Sequence, residues 1–288
     1  MTANSKLGLI LDSFVSHKEK HSCLHKDYQS LKMQLAAVIR DQMGPEGPQE
    51  VDLPGIGLIK LPYFRMGNID SVHLFDLDEL ILFYLYKDAA SSYRRIIDIG
   101  GNIGLHSIVL AKLGFEVTCY EPDPVHFSKI VSNLKINDVS SFVTPVQSAI
   151  SNFSGRAEFT RVLGNTTGSH LSGAKDNTYG DLEKFDVDIK SILDELKNAD
   201  LLKIDAEGEE YKILSSIPDD RWDSLDVVGE IGNSKNSSEV FDFLTCMNIN
   251  IFSQKISWEK ATSSDDLPSS YKEGSVFISR KEKMPWLS

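Results

Sequence analysis

"RRIIDIGGNIGLHS", residues 94–107, is the stretch that decides the fold. It begins as an apolar strand interrupted by one acid, Asp98, and then breaks into Gly100, Gly101 and Gly104. In an open parallel sheet, ligands bind outside the carboxyl ends of the strands, near the point where the strand order reverses. Glycines there let the backbone approach a nucleotide closely and open a helix whose free N–H groups face it. The stretch therefore reads as strand, nucleotide-binding turn and helix start. Plain tight turns also use glycine, so further features are needed.

The pattern continues downstream as strands and helices in alternation. Strand-like runs cover 95–99, 116–120, 141–150, 201–205 and 226–231. Helix-like runs cover 104–113, 124–137, 209–215 and 238–247, and two late strands are expected at 249–256 and 275–280. This alternation predicts an α/β fold, a mostly parallel sheet covered by helices on both faces, with the late strands as a hairpin at one edge. Upstream, 5–42 reads as helical, "MGPEGPQ" (43–49) ends that region, a β-hairpin follows, and "LFDLDELILFYLYKDA" (74–89) reads as a helix. The chain thus divides into an N-terminal helical and β-hairpin cap, 1–92, and a ligand-binding domain, 93–288. The Gly-, Ser- and Asn-rich segment 163–184 is expected to be a long loop acting as a lid.

Composition narrows the class. The 288 residues carry 42 acids against 30 bases, a net charge of −12, which argues against a nucleic-acid partner. The three cysteines form neither a zinc pair nor a disulfide framework, and no apolar run is long enough to cross a bilayer. A cytoplasmic protein without membrane or nucleic-acid partners is expected.

Two further stretches sharpen the site. "YEPDP" (120–124) ends the next strand and places Glu121 twenty-three residues after Asp98, where a carboxylate accepts hydrogen bonds from both hydroxyls of an adenosine ribose. The glycine spacing departs from the dinucleotide fingerprint G-x-G-x-x-G, and an acid in the first strand suits a ligand with an amino group and a cationic centre. S-adenosylmethionine is such a ligand. In "LLKIDAEGEEYKIL" (201–214), Lys203 and Asp205 share a face of a strand that should be apolar. Charges there are costly unless paired or at the open end, so Asp205 and Glu207 are expected at the carboxyl edge.

"DIGGNIG", "YEPDP" and "LKIDAEGEE", in this order and spacing, resemble the FkbM-type S-adenosylmethionine-dependent methyltransferases over residues 65–280 or so. The resemblance implies a Rossmann-like class I methyltransferase fold with a seven-stranded, mostly parallel sheet whose last strand is antiparallel. It implies transfer of a methyl group to hydroxyls of sugars and natural products, with nitrogen acceptors as the alternative. By position, Asp98, Gly100, Asn102 and Gly104 would hold the methionine and ribose part. Glu121 would bind the ribose, with Pro122 and Asp123 shaping the adenine side, and Ser148 and Ala149 would meet the adenine. At Gly101 the family more often has alanine, so the turn is expected to be slightly looser here.

A hydroxyl or amide acceptor is a poor nucleophile until it loses a proton. Asp205 is the first candidate base, Glu207 the second and His170 the third, with Lys203 pairing one of these acids. Glu207 reads equally as a favourable charge at a helix start, and Asp98 as a cap for the glycine turn. His106 reads as packing. Asp205, Glu230 and Asn233 form an oxygen set for a divalent metal, although no metal is the favoured reading. His17, His21 and His25 share one helical face, with zinc spacing; a solvated or subunit-contact stripe is the plainer reading. Leu7, Leu11 and Phe14 offer an apolar stripe for covering the site or for a homodimer. The rivals are a nicotinamide-dependent oxidoreductase and a cofactor-binding scaffold without activity.

Overall fold

The computed structural model describes residues 3–174, 180–231 and 233–285. Its centre is a sheet built of β1 (Arg95–Ile99), β2 (Glu116–Tyr120), β3 (Val143–Val146), β4 (Leu201–Ile204), β5 (Asp226–Gly229), β6 (Asn250–Ser253) and β7 (Val276–Ser279). The spatial order is β3-β2-β1-β4-β5-β7-β6, with a two-residue strand, Glu259–Lys260, as an eighth beside β6. The first five strands pair in parallel. β7 runs antiparallel to both β5 and β6, so the two late strands form the expected antiparallel pair at one edge, with the last strand on its inner side. The order reverses between β1 and β4, which opens the ligand position there.

Side-chain alternation along the strands makes two cores. Ile96, Val117, Leu201, Val228 and Phe277 face one side, against α4 (Leu105–Lys112) and α5 (Pro124–Ile136). Ile97, Ile99, Leu202, Ile204 and Val227 face the other, against α6 (Glu210–Ser215) and α7 (Ser234–Cys246). The Asp123 side chain starts α5 by accepting the Val125 N–H at 2.8 Å, with Pro124 at the first helical position.

The N-terminal region is part of the first core, not a separate cap. Helix α1 (Ala3–Phe14) buries Leu7, Leu11 and Phe14 in the same cluster as the sheet residues, joined by α2 (Tyr28–Met43) and α3 (Leu77–Asp88). The stripe expected to cover a site or form a dimer is therefore used within the chain. The helical run expected over 5–42 is two helices separated by a short 3-10 turn, Lys18–His21. That break takes His17, His21 and His25 off any common face. His21 is fully buried, accepts the Trp258 indole N–H at 3.0 Å and lies 2.9 Å from the Phe14 carbonyl. It is a packing residue, and burial pushes its pKa down to about 4. The expected hairpin is present, Glu50–Leu53 against Gly57–Lys60.

The largest difference from expectation lies between β3 and β4. The single strand expected at 141–150 is two: β3 stays in the central sheet, whereas Ala149–Ser151 joins a second, four-stranded sheet. That sheet is dominated by a long antiparallel pair, Gly155–Val162 with Leu182–Ser191, which also carries the short strand His170–Leu171. Much of the expected loop at 163–184 is thus the crossing between two strands. Residues 175–179 of that segment lie outside the described residues. Among the described residues no helix is long and apolar enough to cross a membrane.

Candidate functional site

The glycine turn after β1 wraps around the end of β2. The N–H groups of Gly100 and Gly101 both reach the Tyr120 carbonyl at 3.0 Å. Gly100 has φ +75°, and a Cβ on it would fall 1.9 Å from the Asp205 carbonyl oxygen, so no side chain fits there. Glu121, 6% exposed, accepts the Asn102 N–H at 2.8 Å through Oε2 and the Asp123 N–H at 2.9 Å through Oε1. Burial pushes its carboxyl up to about 8, against the pull of those two N–H groups. Gly101 does not loosen the turn. A methyl there would sit 2.2 Å from Cys119 Sγ, so in this chain the thiol fills the space that an alanine would occupy.

The cleft above this turn has about 600 Å³ of empty volume, counting its open mouth, within the usual ligand range of roughly 300–1,000 Å³. Gly100, Asn102, Glu121, Pro122, Ser148 and Ala149 line it, together with Asp205, Glu207 and His170. The Asn102 side-chain oxygen is buried without a hydrogen-bond partner, in a residue held at φ +51°. An orphaned acceptor beside a buried carboxylate suits a ligand rich in hydroxyl or amino donors. The Ser148 hydroxyl lies 2.9 and 3.0 Å from the carbonyls of Ala149 and Asp188. Its proton is used inside the protein, and its backbone N–H goes to the Val146 carbonyl at 3.0 Å.

Asp98, Gly101, Gly104 and Lys203 are not part of the cleft wall. Asp98 is 0% exposed. Its Oδ1 lies 3.3 Å from Lys203 Nζ, and its Oδ2 accepts the Ser107 hydroxyl at 2.7 Å. Lys203 also donates to the Gly100 carbonyl at 3.1 Å, while Asp205 Oδ2 is farther from it, at 4.0 Å. Asp98, expected to hold the ligand or to cap the turn, is sealed under the turn, with its contacts going to Lys203 and Ser107. Burial would raise its pKa, yet Lys203 and then His106 hold it below the usual carboxylate range. Lys203 is likewise held above its usual value by Asp98 and Asp205, in spite of burial. His106 bridges Glu79, at 2.7 Å, and the Tyr86 hydroxyl, at 3.0 Å, in keeping with a packing role.

The turn after β4 carries the acids that do face the cleft. Glu207 takes a left-handed backbone, φ +51°, instead of starting a helix, and Gly208 follows at φ +110°. His170, 2% exposed, comes from the second sheet. Its Nδ1 lies 3.0 Å from the Gly168 carbonyl, so Nδ1 carries the proton and Nε2 is the basic nitrogen.

Several residues of the wall had not been expected. Thr166, in the crossing, meets His126 Nε2 at 2.9 Å, and burial lowers the His126 pKa. Asp123, expected on the adenine side, is held by Arg161 Nε at 2.6 Å and Nη2 at 2.7 Å. The crossing is tied to the N-terminal region by a bridge between Gly67 and Asn165 and by Asn68 N–H to the Gly164 carbonyl at 2.8 Å. Gly67, φ +80°, is needed because a Cβ would lie 2.4 Å from Gly164 backbone. The "GN" at 67–68 and the Gly164-Asn165 pair were the available signal.

Of the oxygen set Asp205, Glu230 and Asn233, the Asn233 side chain is engaged as a helix cap, accepting the Asn236 N–H at 3.0 Å at the start of α7. Among the described residues, no group of three or more His, Cys, Asp or Glu side chains could hold a metal ion. Glu230 stands beside Asp205 at the edge, its backbone N–H on the Ile204 carbonyl at 3.1 Å. Burial and then the charge of Asp205 hold its carboxyl well above the usual range.

Residues 98–248 match the profile of the methyltransferase FkbM domain. The chain is 25% identical over 197 residues to "Methyltransferase sdnD" of Sordaria araneosa, a match covering 57% of this chain and 75% of that protein. It is 28% identical over 177 residues to "Methyltransferase 1" of Beauveria bassiana (strain ARSEF 2860), covering 54% and 69%. Among solved structures, methyltransferase FkbM from Methylobacillus flagellatus KT superposes with a TM-score of 0.40 at 15% identity. That match covers 65% of this chain and 43% of the other.

Proposed function

The chain belongs to the FkbM methyltransferase family, and from that premise we propose that it moves a methyl group from S-adenosylmethionine to a hydroxyl of a sugar or other natural-product small molecule. The observation that carries this reading is Glu121: a buried carboxylate on the cleft floor, set by the backbone of the glycine turn. Its carboxylate would accept both ribose hydroxyls, and Asn102 Oδ1 and the Gly100 backbone would meet the methionine part. Once bound, the cofactor would supply an electrophilic methyl on a sulfonium for the acceptor oxygen.

The protein's own contribution is orientation and a proton acceptor. Holding acceptor and methyl in line is worth several kcal/mol, up to about 7–11 in favourable cases. Asp205, half-exposed on the cleft wall, takes the hydroxyl proton and passes it to solvent. Lys203 lies nearer Asp98, at 3.3 Å, than Asp205, at 4.0 Å. The Thr166–Leu171 crossing excludes water from the far side.

Calorimetric titration of S-adenosylhomocysteine tests the reading, with the nicotinamide dinucleotide as control. Wild type is expected to bind S-adenosylhomocysteine with a Kd on the order of 1–10 µM. Glu121→Ala is expected to weaken it at least about tenfold, since both ribose hydrogen bonds are lost. Absence of binding to wild type, by heat and by thermal shift, would remove the cofactor from the reading.

A further inference from the structure

The turn Asp205–Ala206–Glu207–Gly208 brings two acids to the cleft through a backbone that does not hold itself. A non-glycine residue in the left-handed region costs on the order of 1–2 kcal/mol, and Glu207 sits there at φ +51°. Something outside the turn must fix it. Glu210, 2% exposed, reaches back from the first position of α6. Its Oε1 accepts the Ala206 N–H at 3.1 Å and the Gly208 N–H at 3.0 Å. Its Oε2 accepts the same Gly208 N–H at 3.0 Å and the Asn236 side-chain amide at 2.6 Å.

These contacts are not those of a helix cap. A carboxylate that only capped α6 would bond the free N–H groups of its first turn. Here the Tyr211 N–H goes instead to Asn236 Oδ1, at 3.2 Å, and Glu210 spends its acceptors on the preceding turn. Its donors are neutral amides, and burial, with the charge of Asp205, holds its carboxyl above the usual range in spite of them; a buried polar group of this kind is costly unless its hydrogen bonds are fully met. The adjacent Glu209 points elsewhere, to the Ser151 hydroxyl at 2.6 Å and to Lys212 at 2.6 Å. The two acids of "GEE" thus have separate tasks.

We propose that Glu210 is a positioning residue for methyl transfer: by accepting the Ala206 and Gly208 N–H groups, and itself oriented by Asn236, it sets the turn that places Asp205 and Glu207 on the cleft. This rests on the methyl-transfer reading above. Asn236, on the far helix α7, is the second member of the device, since its side chain fixes both the Glu210 carboxylate and the start of α6.

The test uses the full chain with ¹⁵N-labelled Ala and Gly, and S-adenosylhomocysteine as probe. Glu210→Ala should lower the hydrogen-exchange protection of the Ala206 and Gly208 amides at least tenfold and change the shifts that the probe induces in them. The probe's Kd, governed by the Glu121 side of the cleft, should change less than about threefold, well under the tenfold step of 1.4 kcal/mol. The double variant Glu210→Gln/Asn236→Asp reverses donor and acceptor between the two side chains and should restore protection to within threefold. It keeps the proposal testable should Glu210→Ala not fold. Undiminished protection in Glu210→Ala, a folded double variant without restored protection, or wild-type amides that ignore a bound probe would each overturn the proposal. No probe binding to wild type would instead overturn the cofactor reading, with exchange still reporting on the turn.

Discussion

Two aspartates end neighbouring strands on the same face, and their fates are opposite. Asp98 lies within the ladder, paired in register with Lys203, and is fully buried. Asp205 lies one residue beyond the last paired position of β4, Ile204 against Ile99, and is 39% exposed by side chain. A displacement of two residues in register, roughly 6.6 Å along a strand, separates an acid that holds the turn together from an acid that meets the ligand. Acid content identifies the carboxyl edge; only register says which acid is available there.

The comparison breaks first if Asp98 and Lys203 are not a mutually dependent pair. Lys203→Ala leaves Asp98 buried without its cation and should cost about 3–5 kcal/mol of stability, read as a loss of denaturation midpoint. Lys203→Met with Asp98→Asn should recover most of it. Asp205→Asn, by contrast, should leave stability within about 0.5 kcal/mol, while turnover of a hydroxyl acceptor falls about a hundredfold or more. Equal stability losses in the two would erase the distinction.

A smaller effect sharpens the glycine side. Gly101→Ala drives a methyl against Cys119 Sγ and should destabilise by about 1–3 kcal/mol. Combining it with Cys119→Ala should offset much of the loss. A further effect is graded with pH. Glu121, raised from 4.5 to about 8, keeps its proton in the folded chain but not in the unfolded one between those values. The folded state therefore binds more protons there, and stability falls as pH rises through that window. Melting temperatures of Glu121→Gln should lack this decline and exceed those of wild type near pH 8. S-adenosylhomocysteine, whose ribose hydroxyls donate to the ionised carboxylate, should bind wild type up to about tenfold tighter per pH unit until pH 8, and Glu121→Gln without that slope.

Much of this was legible because the signals are local. The turn Gly100–Gly104, Glu121 at the end of β2, and Asp205 with Glu207 each combine a strand end with a residue type that a buried strand would not choose. The role of Asp98 was not legible, because it depends on register with Lys203 in a distant strand. The second sheet was missed for another reason. The alternation in "EKFDVDIK" (183–190) is a strand signal, but it adjoins a Gly- and Ser-rich stretch that reads as loop. Glu210 was hidden beside Glu209 and Glu207, since three acids in four residues look like a solvated helix start. The buried N-terminal stripe shows that an apolar face states only that something covers it.

One pairing described earlier also bears on the order of events during synthesis. His21 finds its indole donor on Trp258, and the His21 carbonyl accepts the Gln254 side-chain amide at 3.0 Å. Gln254 in turn holds Asp78, at the start of α3, at 2.6 Å. Helices α1 to α3 leave the ribosome well before residues 254–258 exist, at about 5–20 residues per second. Their apolar faces and His21 must wait, unsatisfied, for most of that time. Helices α1 to α3 are made long before residues 254–258 and reach these contacts only afterwards, so nascent chains stalled short of Gln254 are where chaperone dependence and aggregation should concentrate.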